Sequence, residues 1–290
     1  YGGVSFGVCT VGDLVCVNKI AIAKIDGAWS VADTVAVTID GWTTGPSNYI
    51  LVYTTPQARH PGKWDATKYN RSSGITINED YVRVDGLQVS VAPTGNLKTI
   101  TANTVSSLSD VRISNNIIRT TSISGTYNVA IFLRLTAVQA KIWNNIIYNW
   151  TGANNYGIWI EAGTPAATVY AYNNTVYNCE NSFVISTGIF VAKNNISNNC
   201  VNGFAGVFAA GSDFNISNLA LDAPGANSKN STNVTFADTP NNDFHLALAD
   251  TAAKNAGTNL SADPNLTFST DIDGTTRPQE TAWDIGADEE

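Results

Sequence analysis

The chain of 290 residues contains no Met, only two His and only four Cys, and 14% of its residues are charged. Each scarcity narrows the field. Two histidines and few cysteines leave no zinc-finger spacing, and no phosphate loop, nucleophile elbow or nucleotide fingerprint occurs. With 16 basic against 24 acidic residues the net charge is -8, which argues against the basic footprint of nucleic-acid binding and gives no attraction to anionic membranes. No apolar run approaches the roughly 18 to 20 residues of a membrane-spanning helix. The sequence opens at Tyr1 without Met, and we read it as a piece of something longer, whose lost part would carry a signal peptide or an attachment domain.

What is abundant is Asn, Thr, Ser, Gly and β-branched residues, a composition suited to short strands and tight turns. One phrase recurs: VRVDGLQV from Val82, VRISNNII from Val111, AKIWNNII from Ala140, VYAYNNTV from Val169 and FVAKNNIS from Phe190, with starts 29, 29, 29 and 21 residues apart. A strand-and-turn repeat of this period marks a solenoid. Alternation places Val82, Val84, Val111, Ile113, Ala140 and Ile142 inward. The turn column Gly86, Asn115, Asn144, Asn173, Asn194 holds the residue types that enter the left-handed region at least cost. The next column, Leu87, Asn116, Asn145, Asn174, Asn195, predicts an amide ladder along the axis. AIFLRL, YGIWIE, SFVIS and GFAGVF supply a third strand per coil. Parallel crossovers are overwhelmingly right-handed, so the expected fold is all-β: a right-handed, three-stranded parallel β-helix with N- and C-terminal caps. Dividing the length by the repeat gives on the order of ten coils as an upper limit.

Along the chain, residues 1–75 read as an N-terminal cap, first coils and a long polar loop, 76–245 as regular coils and 246–290 as a C-terminal cap, all in one domain. The loop, residues 54–73, carries Arg59, His60, Lys63, Trp64, Asp65, Lys68, Tyr69 and Arg71, and loops of this length are functional or disordered. Cys9 and Cys16 are close enough for a small disulfide loop. Cys179 and Cys200 each fall five residues after the second turn Asn of their repeat, where adjacent coils bring them to disulfide distance; two stacked buried thiols is the alternative. The pairs favour an oxidising, extracellular setting.

The closing sequence carries DFHL, then A-x-N-A-G-T, D-x-D-G-x-x-R and D-I-G-A-x-E. It resembles the end of secreted right-handed β-helix proteins of the pectin-lyase-like superfamily, a segment found in bacterial surface and phage-associated proteins. The resemblance implies fold and an extracellular, cell-surface or virion-surface setting, and leaves activity open, because that superfamily mixes lyases, hydrolases, tailspikes and adhesive modules.

The outward positions of the first repeat strand form the candidate site. One column is Arg83, Arg112, Lys141, Tyr170, Val191 and the next is Asp85, Ser114, Trp143, Tyr172, Lys193. Three stacked cations in an acidic protein repel unless a partner relieves them. Beside the rings of Trp143, Tyr170 and Tyr172 they offer a strip for an acidic or neutral glycan; a solvated face with cations lying over aromatics is the alternative. A polysaccharide lyase would need a strong base, uronate neutralisation and commonly Ca2+ held by clustered carboxylates. Arg112, Arg134, Lys141 and Glu161 are candidate parts, but the central repeats lack the carboxylate clusters that Ca2+ or a hydrolase requires. We therefore expect no cofactor. His245 reads as a packing residue, His60 as a loop or partner contact, and Asp271 with Asp273 as a tight turn closed by Arg277 or a cation pair. The expectation is a non-catalytic structural or adhesive module with a surface polysaccharide as partner, in a homo-oligomer or attached to a larger surface or virion assembly. A lyase on acidic polysaccharide is the alternative.

Overall fold

The structure, a computed structural model, describes residues 9–103, 110–134, 139–161 and 167–290. It is a parallel β-helix of three sheets. The first runs from Ala21–Ile25 through Ile50–Thr54, Val82–Asp85, Asp110–Ser114, Gln139–Trp143 and Thr168–Tyr172 to Ile189–Lys193. The second stacks six strands from Gln88–Val91 to Ile216–Ser217, and the third stacks seven from Val37–Ile39 to Asn202–Ala205. All pairings within these sheets are parallel, and the repeat register is kept: Arg83 faces Arg112, Arg112 faces Lys141, and Lys141 faces Tyr170. The inward residues Val84, Ile113, Ile142 and Ala171 are fully buried and stack with one another along the axis. Each fully buried Val or Ile side chain contributes about 1.5–3 kcal/mol.

The corner chemistry explains why the stack holds its register. Gly86, Asn115, Asn144, Asn173 and Asn194 all have φ between 51° and 78°. At Gly86 the left-handed turn also forbids a side chain, since a Cβ would lie 2.5 Å from Thr54 Oγ1. Behind this column the ladder forms: Asn116 Nδ2 donates to Asn145 Oδ1, Asn145 to Asn174, Asn174 to Asn195 and Asn195 to Asn215, at 2.9–3.0 Å. The same carboxamide oxygens also accept the backbone N–H of Asn116, Asn145, Asn174 and Asn195. The ladder thus satisfies buried groups on every rung. A second ladder, not anticipated, lies before the third sheet. Tyr127 and Asn154 take left-handed φ there, and Asn128 Nδ2 donates to Asn155 Oδ1. Its trace in the sequence is the matching G-T-Y-N and G-A-N-N ahead of the third strands.

Two long segments do not stack as coils. The loop of residues 54–73 is stitched down, with Ala58, His60, Tyr69 and Arg71 at most 3% exposed. Arg71 bridges to Val89 and covers the open edge of the second sheet, a common way to blunt an edge strand. The stack is seven strands deep on two sides, short of the ten-coil limit, because the C-terminal residues turn back along the outside. Val234, Phe236, Phe244, Leu246, Ile272 and Ile285 pack on the outer residues Ile117, Ile146, Ile196 and Ile216 of the second sheet. The closing segment is thus a lateral cover over the coils and not a plug on the end. The doubled Ile of NNII is its sequence signal: Ile118 and Ile147 point into the core and Ile117 and Ile146 into this cover. A strand apolar on both faces belongs to a sheet covered on both faces.

Cys9 and Cys16 form a disulfide. Cys179 and Cys200 do not: they are free, buried thiols. Each donates to the carbonyl oxygen two residues earlier, Tyr177 at 3.4 Å and Asn198 at 3.3 Å, so the stacked-thiol alternative describes them.

Candidate functional site

The outer face of the first sheet divides at Trp143. On the later rungs the returning segment covers it: Leu260, Leu266 and Trp283 pack with Tyr172 and Val191, and Phe268 packs against Trp143 at 6.3 Å between ring centroids. Tyr172 is fully buried, with burial first and then Asp263 raising its phenol. Tyr170 is half-buried at its edge, 6.1 Å from the Tyr172 ring. Lys193 is taken by Asp263 at 2.7 Å. Of the six glycan candidates, Tyr172 is therefore inaccessible, because its ring is part of the core of the clamp that this returning segment forms on the sheet.

On the earlier rungs the face stays open. Leu51, Tyr53, Arg83, Asp85, Arg112, Ser114 and Trp143 line a groove of about 270 Å³. Leu51 and Tyr53 enter because Ile50–Thr54 pairs in register with the first repeat strand, setting Leu51 beside Arg83 and Tyr53 beside Asp85. The expected strip began one rung too late, since ILVY lacks the VxV-turn phrase although its alternation is the same.

The three cations are relieved in different ways. Arg112 is bonded through Nε to Asp110 Oδ2 at 2.8 Å, and Lys141 Nζ lies 3.7 Å from Asp110 Oδ1. Burial, opposed by Asp110, lowers the Lys141 ammonium from its ordinary value. Arg83 lies over the Tyr49 ring at 3.4 Å from its centroid, and burial followed by the nearby Arg112 charge lowers its pKa. Asp110, at the head of its strand and outside both columns, is thus the partner that lets like charges stack. Asp85 is occupied as well. Arg59 pairs with it at 2.7 Å, and Ser114 and Asn115 donate to it at 2.8 and 2.6 Å. Burial opposes its ionisation, but these partners hold it below the ordinary carboxylate range.

The lyase candidates do not assemble. Arg112 and Lys141 are on the first sheet, whereas Arg134 and Glu161 pair with each other at 3.7 Å at the ends of third-sheet strands. His60 is 3% exposed and its Nε2 lies 2.8 Å from the carbonyl oxygen of Asn115. Burial, then the Arg59 charge, pulls it down to about 4, so it is neutral and donates from Nε2. Asp271 caps a tight turn, accepting the N–H of Asp273, Gly274 and Thr275. Arg277 closes the hairpin around that turn with its backbone, its N–H donating to the Ser269 carbonyl at 2.9 Å, while its guanidinium is buried against Glu289 at 2.8 Å. His245 is no simple packing residue. Its Nδ1 is 2.5 Å from Asp243 and its Nε2 is 3.5 Å from Asp273. Asp273 first, and then Asp288 and Asp243 against the opposing effect of burial, push its imidazole up to about 9.

Comparison of the chain with family models, with curated proteins and with solved structures found no match.

Proposed function

We propose that this chain is a non-catalytic β-helix module of an extracellular, cell-surface or virion-surface assembly, and that it holds a glycan in the groove of its first sheet. One observation carries the reading. The groove gathers two guanidinium groups with the rings of Tyr53 and Trp143, and its one lining carboxylate, Asp85, is committed to three partners. Guanidinium donors suit carboxylate or sulfate groups of an acidic sugar, and flat rings suit the apolar face of a pyranose. A kinship with the pectin-lyase-like superfamily belongs to the same proposal. It rests on the Asn-turn repeats and the closing segment.

A second reading, a polysaccharide lyase, is favoured by Lys141, whose lowered ammonium beside Arg112 has the makings of a base next to a uronate-binding group. Both readings meet one experiment. Oligogalacturonate, with a panel of acidic and neutral glycans, is presented to the intact chain, and both binding and the ultraviolet absorbance of an unsaturated uronate product are followed. We expect binding without product, weakened by Arg112→Ala and by Trp143→Ala. Product formation lost in Lys141→Ala would replace the binding module with the lyase. Failure to bind any glycan, or affinity unchanged in both variants, would remove the groove as a site.

A further inference from the structure

His245 lies where three separate stretches of chain converge: its own strand Asp243–Leu246, the turn that begins at Asp271, and the last residues of the chain. Asp243 Oδ1 is 2.5 Å from Nδ1, and its other oxygen, Oδ2, is held by Lys63 at 2.8 Å. The bond keeps a proton on Nδ1 and turns Nε2 toward Asp273, and an ion bound at Nε2 displaces the proton that nitrogen otherwise carries. A ring nitrogen of His245, a carboxylate oxygen of Asp273 and one of Asp288 all lie within 4.8 Å of one another, and Nε2 is the nitrogen that faces Asp273.

The spacing suits one ion better than a hydrogen bond. Nε2 and Asp273 Oδ2 are 3.5 Å apart, long for an N–H to carboxylate bond. Two ligands at about 2.0–2.1 Å from a tetrahedral ion stand roughly 3.3 Å apart. Asp243 is the second feature of such a centre, because a ligating imidazole characteristically gives its other N–H to a carboxylate that fixes tautomer and ring plane. On one side Gly62 presses its bare Cα on the ring; a Cβ there would lie 2.3 Å from Nε2. On the other, Asp273 forms part of the wall of a cavity of about 400 Å³ that Arg59, Lys68 and Asp271 also line. Asp273 is the one proposed ligand on that wall, so the cavity leads toward the site from its side.

We propose that His245, Asp273 and Asp288 bind a divalent transition-metal ion, with Asp243 positioning the imidazole. One nitrogen and two carboxylate oxygens match Zn2+ and its neighbours, whereas Ca2+ takes six to eight oxygens. Bound there, the ion ties the closing segment to itself, from strand to turn to terminus, beside the long loop. The site is independent of the groove and stands whether or not the groove binds a glycan.

The test uses the intact chain, stripped with EDTA. Co2+ is titrated while its visible d–d bands are recorded, and Zn2+ and Ca2+ are titrated by calorimetry. We expect one Co2+ site per chain with bands distinct from those of the aquo ion, displacement by Zn2+ and not by Ca2+, and a higher Tm with Zn2+. His245→Gln and Asp273→Asn, each checked for native circular dichroism, should weaken Zn2+ by at least the roughly tenfold that loss of even an outer-shell partner costs. Wild-type protein showing only the aquo Co2+ spectrum and no Zn2+ heat would overturn the proposal without any variant. So would undiminished Zn2+ affinity in folded Asp273→Asn.

Discussion

The early and late rungs of the first sheet share one strand pattern and, from Val82 on, one left-handed turn, yet their outer faces end differently. On rungs 50–143 Leu51, Tyr53, Arg83, Asp85, Arg112, Ser114 and Trp143 face outward and line an open groove. On rungs 168–193 they are Tyr170, Tyr172, Val191 and Lys193, and residues 260–283 lie over them. What differs is not the coil but whether another segment reaches it. A solenoid repeat fixes the inside of every rung; the outside is decided by chain that is distant in sequence.

That contrast can be broken most severely by removing the cover. Deleting residues 233–290 would expose Ile117, Ile146, Ile196 and Ile216 of the second sheet together with Tyr172 and Val191. We expect loss of cooperative unfolding, strong binding of an apolar dye and aggregation. A deletion variant that melts as the full chain does would show that the cover contributes little. A point version is Trp283→Ala, buried in the clamp beside Phe268 and Arg277. It should cost about 3–5 kcal/mol in denaturant unfolding, whereas Trp143→Ala at the groove's edge should cost well under half of that.

The ladder sharpens the comparison, since it serves open and covered rungs alike. Asn145→Ala removes an acceptor for the N–H and amide of Asn116 and a donor to Asn174 and Ile113. At about 1–3 kcal/mol for each buried group left unpaired, we expect a loss on the order of 3 kcal/mol. A change below about 1 kcal/mol would mean that water replaces the amide.

Acid should act on the packed loop before the groove. The His60 imidazole is held near 4 in the folded chain against 6.5 when free, so between those values the unfolded chain binds a proton that the folded chain does not. The corresponding stability is complete above pH 6.5 and is lost as pH falls toward 4, by roughly 3 kcal/mol. Equilibrium unfolding at a series of pH values, with His60→Gln as the flattened reference, measures it. The smallest stability effect should come from the strip itself. Lys141→Ala loses a long, 3.7 Å contact with Asp110 and a charge that burial already disfavours, and should shift the unfolding midpoint less than Asn145→Ala does.

Much of the inside was legible in the sequence. Columns from Gly86 to Asn194 and from Asn116 to Asn195 follow from spacing and residue type, because left-handed turns and amide ladders admit few substitutes. The outside was legible only where a residue contradicted its own pattern. Ile117 and Ile146 are outward yet apolar, a sign of a covering layer that the expectation of a terminal cap did not use. Asp110 was hidden, because a strand's first residue has no fixed facing. The burial of Tyr172 was hidden too, since an aromatic on a sheet face reads alike whether it meets a sugar or Trp283. The arrangement of Asp243, His245, Asp273 and Asp288 joins residues from the strand, the turn and the far end of the chain, and no local period links them.

The central claim is that the same sheet is open to a ligand on its early rungs and closed on its late ones. Hydroxyl-radical footprinting of the intact chain, with and without saturating acidic oligosaccharide, reads both at once. We expect Tyr53 and Trp143 to be oxidised in the free chain and protected by ligand, Tyr172 to resist oxidation in both states, and exposed Trp42 and Tyr127 to be oxidised equally in both. Tyr172 oxidised as readily as Trp143 in the free chain, or no protection of Tyr53 and Trp143 under saturating ligand, would contradict it.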